Sequence, residues 1–212
     1  MKVSRESMLL YAVSDRQWLG DRTLVSVAEE ILKNGATFFQ LREKHLRGQA
    51  LLEEAKALAA LCRGYGVPFV VDDDVEVAIA SGADGVHVGQ SDLEAGKVRE
   101  LIGPDRILGV SARTVEQAVL AEERGADYLG VGSVFSTSTK LDANSIAIDE
   151  IRRIREAVSI PLVAIGGINE QNILQLKGAG VDGVAVVSAL FAQPEPGEAA
   201  ARLAALAREI AG

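Results

Sequence analysis

Short apolar runs, rich in β-branched and aromatic residues, recur along the chain and alternate with longer stretches in which apolar positions fall three or four apart. The runs are LLYAV (9–13), TFFQL (37–41), PFVVD (68–72), GVHVG (85–89), RILGV (106–110), YLGVG (128–132), PLVAIG (161–166) and GVAVV (183–187). Their length and flanking Gly or Pro predict strands. Between them, LVSVAEEILKNG, LLEEAKALAALCRGYG, TVEQAVLAEERG and NILQLKGAG carry helical spacing and a Gly where each helix would stop, which predicts crossover helices. NGATFFQL, SGADGVHV, RGADYLGV and GAGVDGVAV echo one another just before a strand, marking repeated αβ units rather than a solenoid. Eight βα units in one domain predict a closed (β/α)8 TIM barrel, with an open doubly wound sheet as second choice. One catalytic domain over 1–212 is expected, closed by a final amphipathic helix in GEAAARLAALAREIAG.

Composition restricts the function. The chain has 212 residues, 48% of them apolar, enough for a sizeable core. A net charge of -8 and a pI near 4.9 disfavour nucleic acid as a partner, since phosphate-backbone binding needs a broad basic surface. No apolar run is long enough for a membrane span, and the apolar run near the start is too short for a signal peptide, so a cytoplasmic location is expected. The lone cysteine, Cys62, falls at helical spacing from Leu58 and reads as a packed thiol rather than a nucleophile.

Catalytic groups of such barrels sit at the C-terminal strand ends. Alternation puts Gln40, Arg42 and Lys44 of FFQLREKH on one face and Phe39, Leu41 and Glu43 on the other. Those cations either lie in a solvated loop or, beside Gln40, grip a multiply charged anion at the mouth. VDDDV crowds three carboxylates. Asp74 is best placed to cap the next helix, and alternation turns Asp73 away from Asp72 and Asp74. Asp92, after the fourth strand, is either a helix cap or, with an acidic neighbour, part of a Mg²⁺ site completed by substrate phosphate and water. IGGI and VVSALF suggest a second phosphate site near Gly167 and Ser188. FSTSTK is a polar loop or a lid bringing Thr137, Thr139 and Lys140 to bound ligand. His45 and His87 are the only histidines; His87 reads as a packed structural residue, and no Ser-His-Asp set, Cys-His pair or His metal cluster is visible.

Taken together, QLREK (40–44), VDDD (71–74), HVGQSD (87–92), GVSA (109–112), TSTK (137–140), IGGI (165–168) and VVSAL (186–190) resemble the thiamine-phosphate synthase family, in family order over nearly the whole chain from YAVSDR onward. The resemblance implies a TIM barrel that joins hydroxymethylpyrimidine diphosphate to a thiazole phosphate and releases diphosphate, with Mg²⁺. It implies that the pyrimidine diphosphate is met by Gln40, Leu41, Arg42, Glu43, Lys44, Asp72, Ser111 and Lys140, with Arg42, Lys44, Ser111 and Lys140 the catalytic subset. Asp73 and Asp92 correspond to Mg²⁺ ligands, and Thr137, Ser138, Thr139, Gly167, Val187 and Ser188 to thiazole phosphate contacts.

The chain departs from the family pattern at Asp72, commonly Asn, at Arg113, commonly His, and at Ser133 and Ser136, frequently Pro. A thiazole tautomerase is the nearest rival, but its candidate acid/base His aligns with Arg113. A sugar-phosphate isomerase or epimerase would need a proton-abstracting carboxylate and no diphosphate grip. A non-catalytic phosphate-binding barrel would hold the pyrimidine diphosphate without consuming it.

Overall fold

The computed structural model describes residues 3–135 and 146–211. Eight parallel strands close into a barrel in sequence order: β1 (Leu10–Val13), β2 (Phe38–Leu41), β3 (Phe69–Asp72), β4 (Gly85–Val88), β5 (Ile107–Ala112), β6 (Tyr128–Gly132), β7 (Leu162–Ile165) and β8 (Gly183–Val186). Each coincides with one of the apolar runs. Helices α1 (Leu24–Lys33), α2 (Gly48–Tyr65), α3 (Val75–Ser81), α4 (Ala95–Ile102), α5 (Val115–Glu123) and α6 (Ile148–Ala157) connect successive strands, and α7 (Ser188–Phe191) and α8 (Pro196–Ile210) follow β8.

Local chemistry sets the helix boundaries. Thr23, Asp74 and Thr114 accept from Ser26, Val77 and Gln117 N–H groups to start α1, α3 and α5. The expected crossover helix in NILQLKGAG is instead a single 3-10 turn, Ile173–Leu176. Asn172 Oδ1 accepts from Asn169 N–H and Asn169 Oδ1 from Gln171 N–H, a reciprocal cap that opens the turn, and Gly178 and Gly180, both at positive φ, turn the chain back before a longer helix can form.

Two apolar cores result. The larger lies between strands and helices; Leu41 and Cys62 belong to it, and burial pushes the Cys62 thiol up to about 12. The smaller fills the barrel with Met8, Tyr11, Val13, Phe38, Val70, Ile107, Tyr128, Val163 and Ala185.

The sequence echo has a physical meaning at the barrel floor. Thr37, Asp84, Asp127 and Asp182 occupy one position of the echo, each just before an even-numbered strand. Their side chains accept the N–H of Leu10 (2.9 Å), Phe69 (2.8 Å), Leu108 (2.8 Å) and Leu162 (2.8 Å), at the starts of the odd strands. Their own N–H groups donate back to the carbonyls of those same residues. Four clamps thus tie each odd strand to the strand that follows it.

Candidate functional site

At the opposite end, the C-terminal strand ends surround a cavity of about 520 Å³ whose wall includes Gln40, Arg42, Lys44, Asp72, Asp73, Asp92, Ser111, Gly167, Val187 and Ser188. Side-chain alternation continues past the end of β2, so Gln40, Arg42 and Lys44 all face this space. Leu41 and Glu43, named with them from the sequence, do not line it. Leu41 is buried against the helices. Glu43 accepts from Arg16 Nε at 2.7 Å and from the N–H groups of His45 and Leu46, so its carboxylate shapes the loop after β2.

Arg42 is held from the end of β1. Its N–H donates to Ser14 Oγ at 2.9 Å, Ser14 Oγ donates to its carbonyl at 3.2 Å, and its guanidinium donates to Asp15 Oδ2 at 3.1 Å. These two residues lie in YAVSDR, where the sequence alone assigns no role. The strand-end rule, applied to β1 as well as to β2, singles out Ser14 and Asp15.

The acidic run resolves into three roles. Asp74 caps α3 as expected. Asp72 Oδ1 accepts from Gln40 Nε2 at 3.0 Å, and its other oxygen lies 3.6 Å from Lys44 Nζ. Asp73 corrects the alternation argument: its φ of +63° is left-handed, which breaks the strand period and turns its carboxylate into the cavity beside Asp72. There it accepts from Lys44 Nζ at 2.9 Å. Burial opposes the Lys44 charge, but the Asp73 and Asp72 carboxylates outweigh it and hold the ammonium above its usual pKa.

Asp92 is not a helix cap, since Glu94 starts α4; it accepts from Gly89 N–H at 2.7 Å and comes within hydrogen-bonding reach of Asp73. The two carboxyls consequently titrate apart. Burial and then the Asp73 charge push Asp92 above the ordinary range, while at Asp73 the Lys44 ammonium overcomes burial and keeps the carboxyl below it. Among the described residues no group of three or more His, Cys, Asp or Glu is arranged to hold a metal. Two touching carboxylates on neighbouring strand ends still suit a hard cation that takes its remaining ligands from phosphate and water.

His87 is packed and hydrogen-bonded, as expected of a strand histidine. The identity of its partner comes from the register of β4 and β5, which brings His87 Nε2 to 2.9 Å from Ser111 Oγ, and Gln90 Nε2 donates to the Ser111 carbonyl at 2.6 Å. Across the cavity, Gly166 and Gly167 have φ of +104° and +65°, and Ser188 opens α7 after Val187, as the IGGI and VVSALF motifs suggest. Arg113 and Ser133 also contribute to the wall. Thr137, Ser138, Thr139 and Lys140 lie outside the described residues.

Residues 10–190 match the family model described as thiamine monophosphate synthase. The chain is 50% identical over 209 residues to a thiamine-phosphate synthase of Geobacillus kaustophilus, covering 96% of this chain and 94% of that one. It is 46% identical over 200 residues to that of Ruminiclostridium cellulolyticum, covering 94% and 95%. The solved thiamine phosphate pyrophosphorylase of Pyrococcus furiosus superposes with a TM-score of 0.90 at 40% identity, over 98% of this chain and 99% of that one. A closed parallel barrel with a charged mouth, matched end to end by these relatives, is an enzyme of the thiamine monophosphate synthase family, to which this chain belongs.

Proposed function

We propose that the chain acts as one catalytic barrel over 1–212 that transfers the hydroxymethylpyrimidine group from its diphosphate to the nitrogen of a thiazole phosphate, yielding thiamine phosphate and diphosphate. The observation that carries the assignment of roles is the pairing at one rim of two cations, Arg42 and Lys44, with the Asp73 and Asp92 carboxylates. Cations and a carboxylate pair facing one cavity suit a diphosphate and a divalent ion held together, and Asp73 and Asp92 would hold Mg²⁺. When bound, Mg²⁺ neutralises charge growing on the leaving diphosphate.

The chain's own groups act mainly by electrostatics and position. The thiazole nitrogen attacks with its lone pair, so no proton has to be removed first, and the barrier lies in parting diphosphate from the pyrimidine methylene carbon. Arg42, fixed by Asp15, and Lys44, with Lys140 of the TSTK motif, stabilise the departing oxygens. Gln40, Asp72 and Ser111 orient the pyrimidine diphosphate. Gly167, Val187 and Ser188, with Thr137, Ser138 and Thr139, receive the thiazole phosphate. Because Asp72 is engaged by Gln40 and lies near Lys44, its carboxylate is partly offset where a neutral Asn is the family's usual choice. A tautomerase would need an acid/base after β5, where Arg113 stands in the wall. A cytoplasmic location accompanies this reading, supported by a lone cysteine kept as a buried thiol.

The test is to mix purified protein with both substrates and Mg²⁺ and follow diphosphate. Stoichiometric release with thiamine phosphate, abolished by chelator, is expected. Folded protein that binds the pyrimidine diphosphate but never releases diphosphate would show a binding barrel instead.

A further inference from the structure

A chain of hydrogen bonds crosses the interior of the barrel. Tyr11 Oη lies 2.7 Å from Tyr128 Oη, Tyr128 Oη lies 2.9 Å from His87 Nδ1, and His87 Nε2 lies 2.9 Å from Ser111 Oγ at the cavity wall. Tyr11 and Tyr128 are fully enclosed in the inner core. Space is reserved for the chain by glycine. A Cβ on Gly109 would fall 2.2 Å from the Tyr128 hydroxyl and 2.5 Å from His87 Nδ1, and one on Gly130 would press on the His87 ring at 3.3 Å.

With a neutral imidazole the chain can run in two directions, and they are not equivalent. In one, Tyr11 donates to Tyr128, Tyr128 to Nδ1 and Nε2–H to Ser111 Oγ; every enclosed proton is used and the serine proton is left for the cavity. In the other, Ser111 donates to Nε2 and the series ends on the Tyr11 hydroxyl, whose one side-chain hydrogen-bond partner among the described residues is Tyr128. That direction strands a proton in an apolar core, which disfavours it by roughly tenfold. Burial also raises both phenols well above their ordinary pKa, so each keeps a proton to donate.

We propose that Tyr11, Tyr128 and His87 are positioning residues that form a one-way relay from the barrel core to the mouth and present the Ser111 hydroxyl to the cavity as a hydrogen-bond donor. The Ser111–His87 spacing equals that of a nucleophile and its base, but the relay assigns the opposite role. Nε2 carries the proton and cannot accept one from Ser111, so the serine stays a neutral hydroxyl suited to an acceptor atom of the pyrimidine diphosphate. The functional half of this inference rests on the proposed reaction; the direction of the relay does not.

Two measurements test it. In full-length protein labelled with ¹⁵N-histidine, a long-range ¹H–¹⁵N spectrum at neutral pH, assigned with His45→Gln, is expected to show His87 as a neutral ring protonated on Nε2. A ring protonated on Nδ1, or on both nitrogens, would overturn the relay. In kinetics, Tyr128→Phe is expected to lower kcat/KM about tenfold when Ser111 is present and less than twofold in the Ser111→Ala background. Equal losses in both backgrounds would reduce Tyr128 to a packing residue. Ser111→Ala with unchanged kcat/KM would overturn the substrate contact of the proposed function, while the spectrum would still decide the direction of the relay.

Discussion

At the floor of the barrel, Asp182 is 7% exposed, accepts from the Leu162 N–H at 2.8 Å, and pairs with Arg5 at 3.2 Å and Arg155 at 3.5 Å. At the mouth, Asp73 and Asp92 point their carboxylates at each other, with one lysine compensating the first and a backbone N–H the second. The residue types are the same. At the floor each carboxylate finds a backbone N–H and satisfies a strand end, and the arrangement recurs at Asp84 and Asp127. At the mouth no single arrangement recurs from strand end to strand end, and like charges are kept close. Satisfied charge ties strand ends together, whereas crowded charge suits a site that takes a ligand, as proposed above.

Removing a partner at each rim should separate those roles. The largest effect is expected at the floor: Asp182→Ala leaves the Leu162 N–H without its acceptor and the half-buried Arg155 without its counter-charge, its guanidinium keeping only the Val158 and Ile160 carbonyls, and should cost about 3–5 kcal/mol in chemical denaturation, with kcat/KM of the remaining folded enzyme unchanged. At the mouth, Arg42→Ala should lower kcat by about 10²–10³, or about 2.7–4 kcal/mol in the barrier, with a smaller loss of stability than the Asp182 variant, since Asp15 still accepts from the Gln17 N–H and Nε2. Loss of stability without loss of turnover in the Arg42 variant would erase the distinction between the two rims.

Glu43 sharpens the comparison because it sits near the mouth yet behaves like the floor. Burial works to raise its pKa, but Arg16 and the N–H groups of His45 and Leu46 outweigh burial and lower it. A carboxylate whose folded pKa is depressed stabilises fully above its unfolded pKa of about 4.3 and loses that contribution as pH falls through the folded value. Glu43→Gln should therefore cost about 2 kcal/mol at pH 7 and flatten the acid limb of stability below about pH 5.

The smallest effect expected concerns the crowded pair. Raised by burial and Asp73, the Asp92 carboxyl is destabilising when ionised above its folded pKa, so Asp92→Asn should slightly raise the Tm of metal-free protein at pH 7. Mg²⁺ at ten times its Kd should stabilise the parent by about 1.4 kcal/mol, a few degrees in Tm, and the Asn variant hardly at all. An equal Mg²⁺ response in both proteins would remove Asp92 from the metal site.

The eight strands are legible in the sequence because each apolar run is bounded by turn residues, and the mouth is legible because a barrel directs strand ends to one rim. What escapes needs three-dimensional register or a single dihedral angle. His87, Ser111, Tyr128 and Tyr11 come from four strands, and no local pattern tells which side chains will meet inside a barrel. Alternation turns Asp73 the wrong way because it assumes extended backbone, and Glu43 falls in with its cationic neighbours because Arg16 is distant in sequence. The 3-10 turn at Ile173–Leu176 escapes because helical spacing is the same for one turn as for several, and the glycines at 178 and 180 cut it short by adopting positive φ.

The left-handed backbone at Asp73 also bears on protein engineering. Glycine adopts that geometry without a side-chain clash, and at this turn it would remove one of two facing negative charges. Because the Asp73 carboxylate also answers the Lys44 ammonium, a thermostability screen blind to turnover should find Asp73→Gly close to neutral, the relaxed backbone offsetting the lost ion pair.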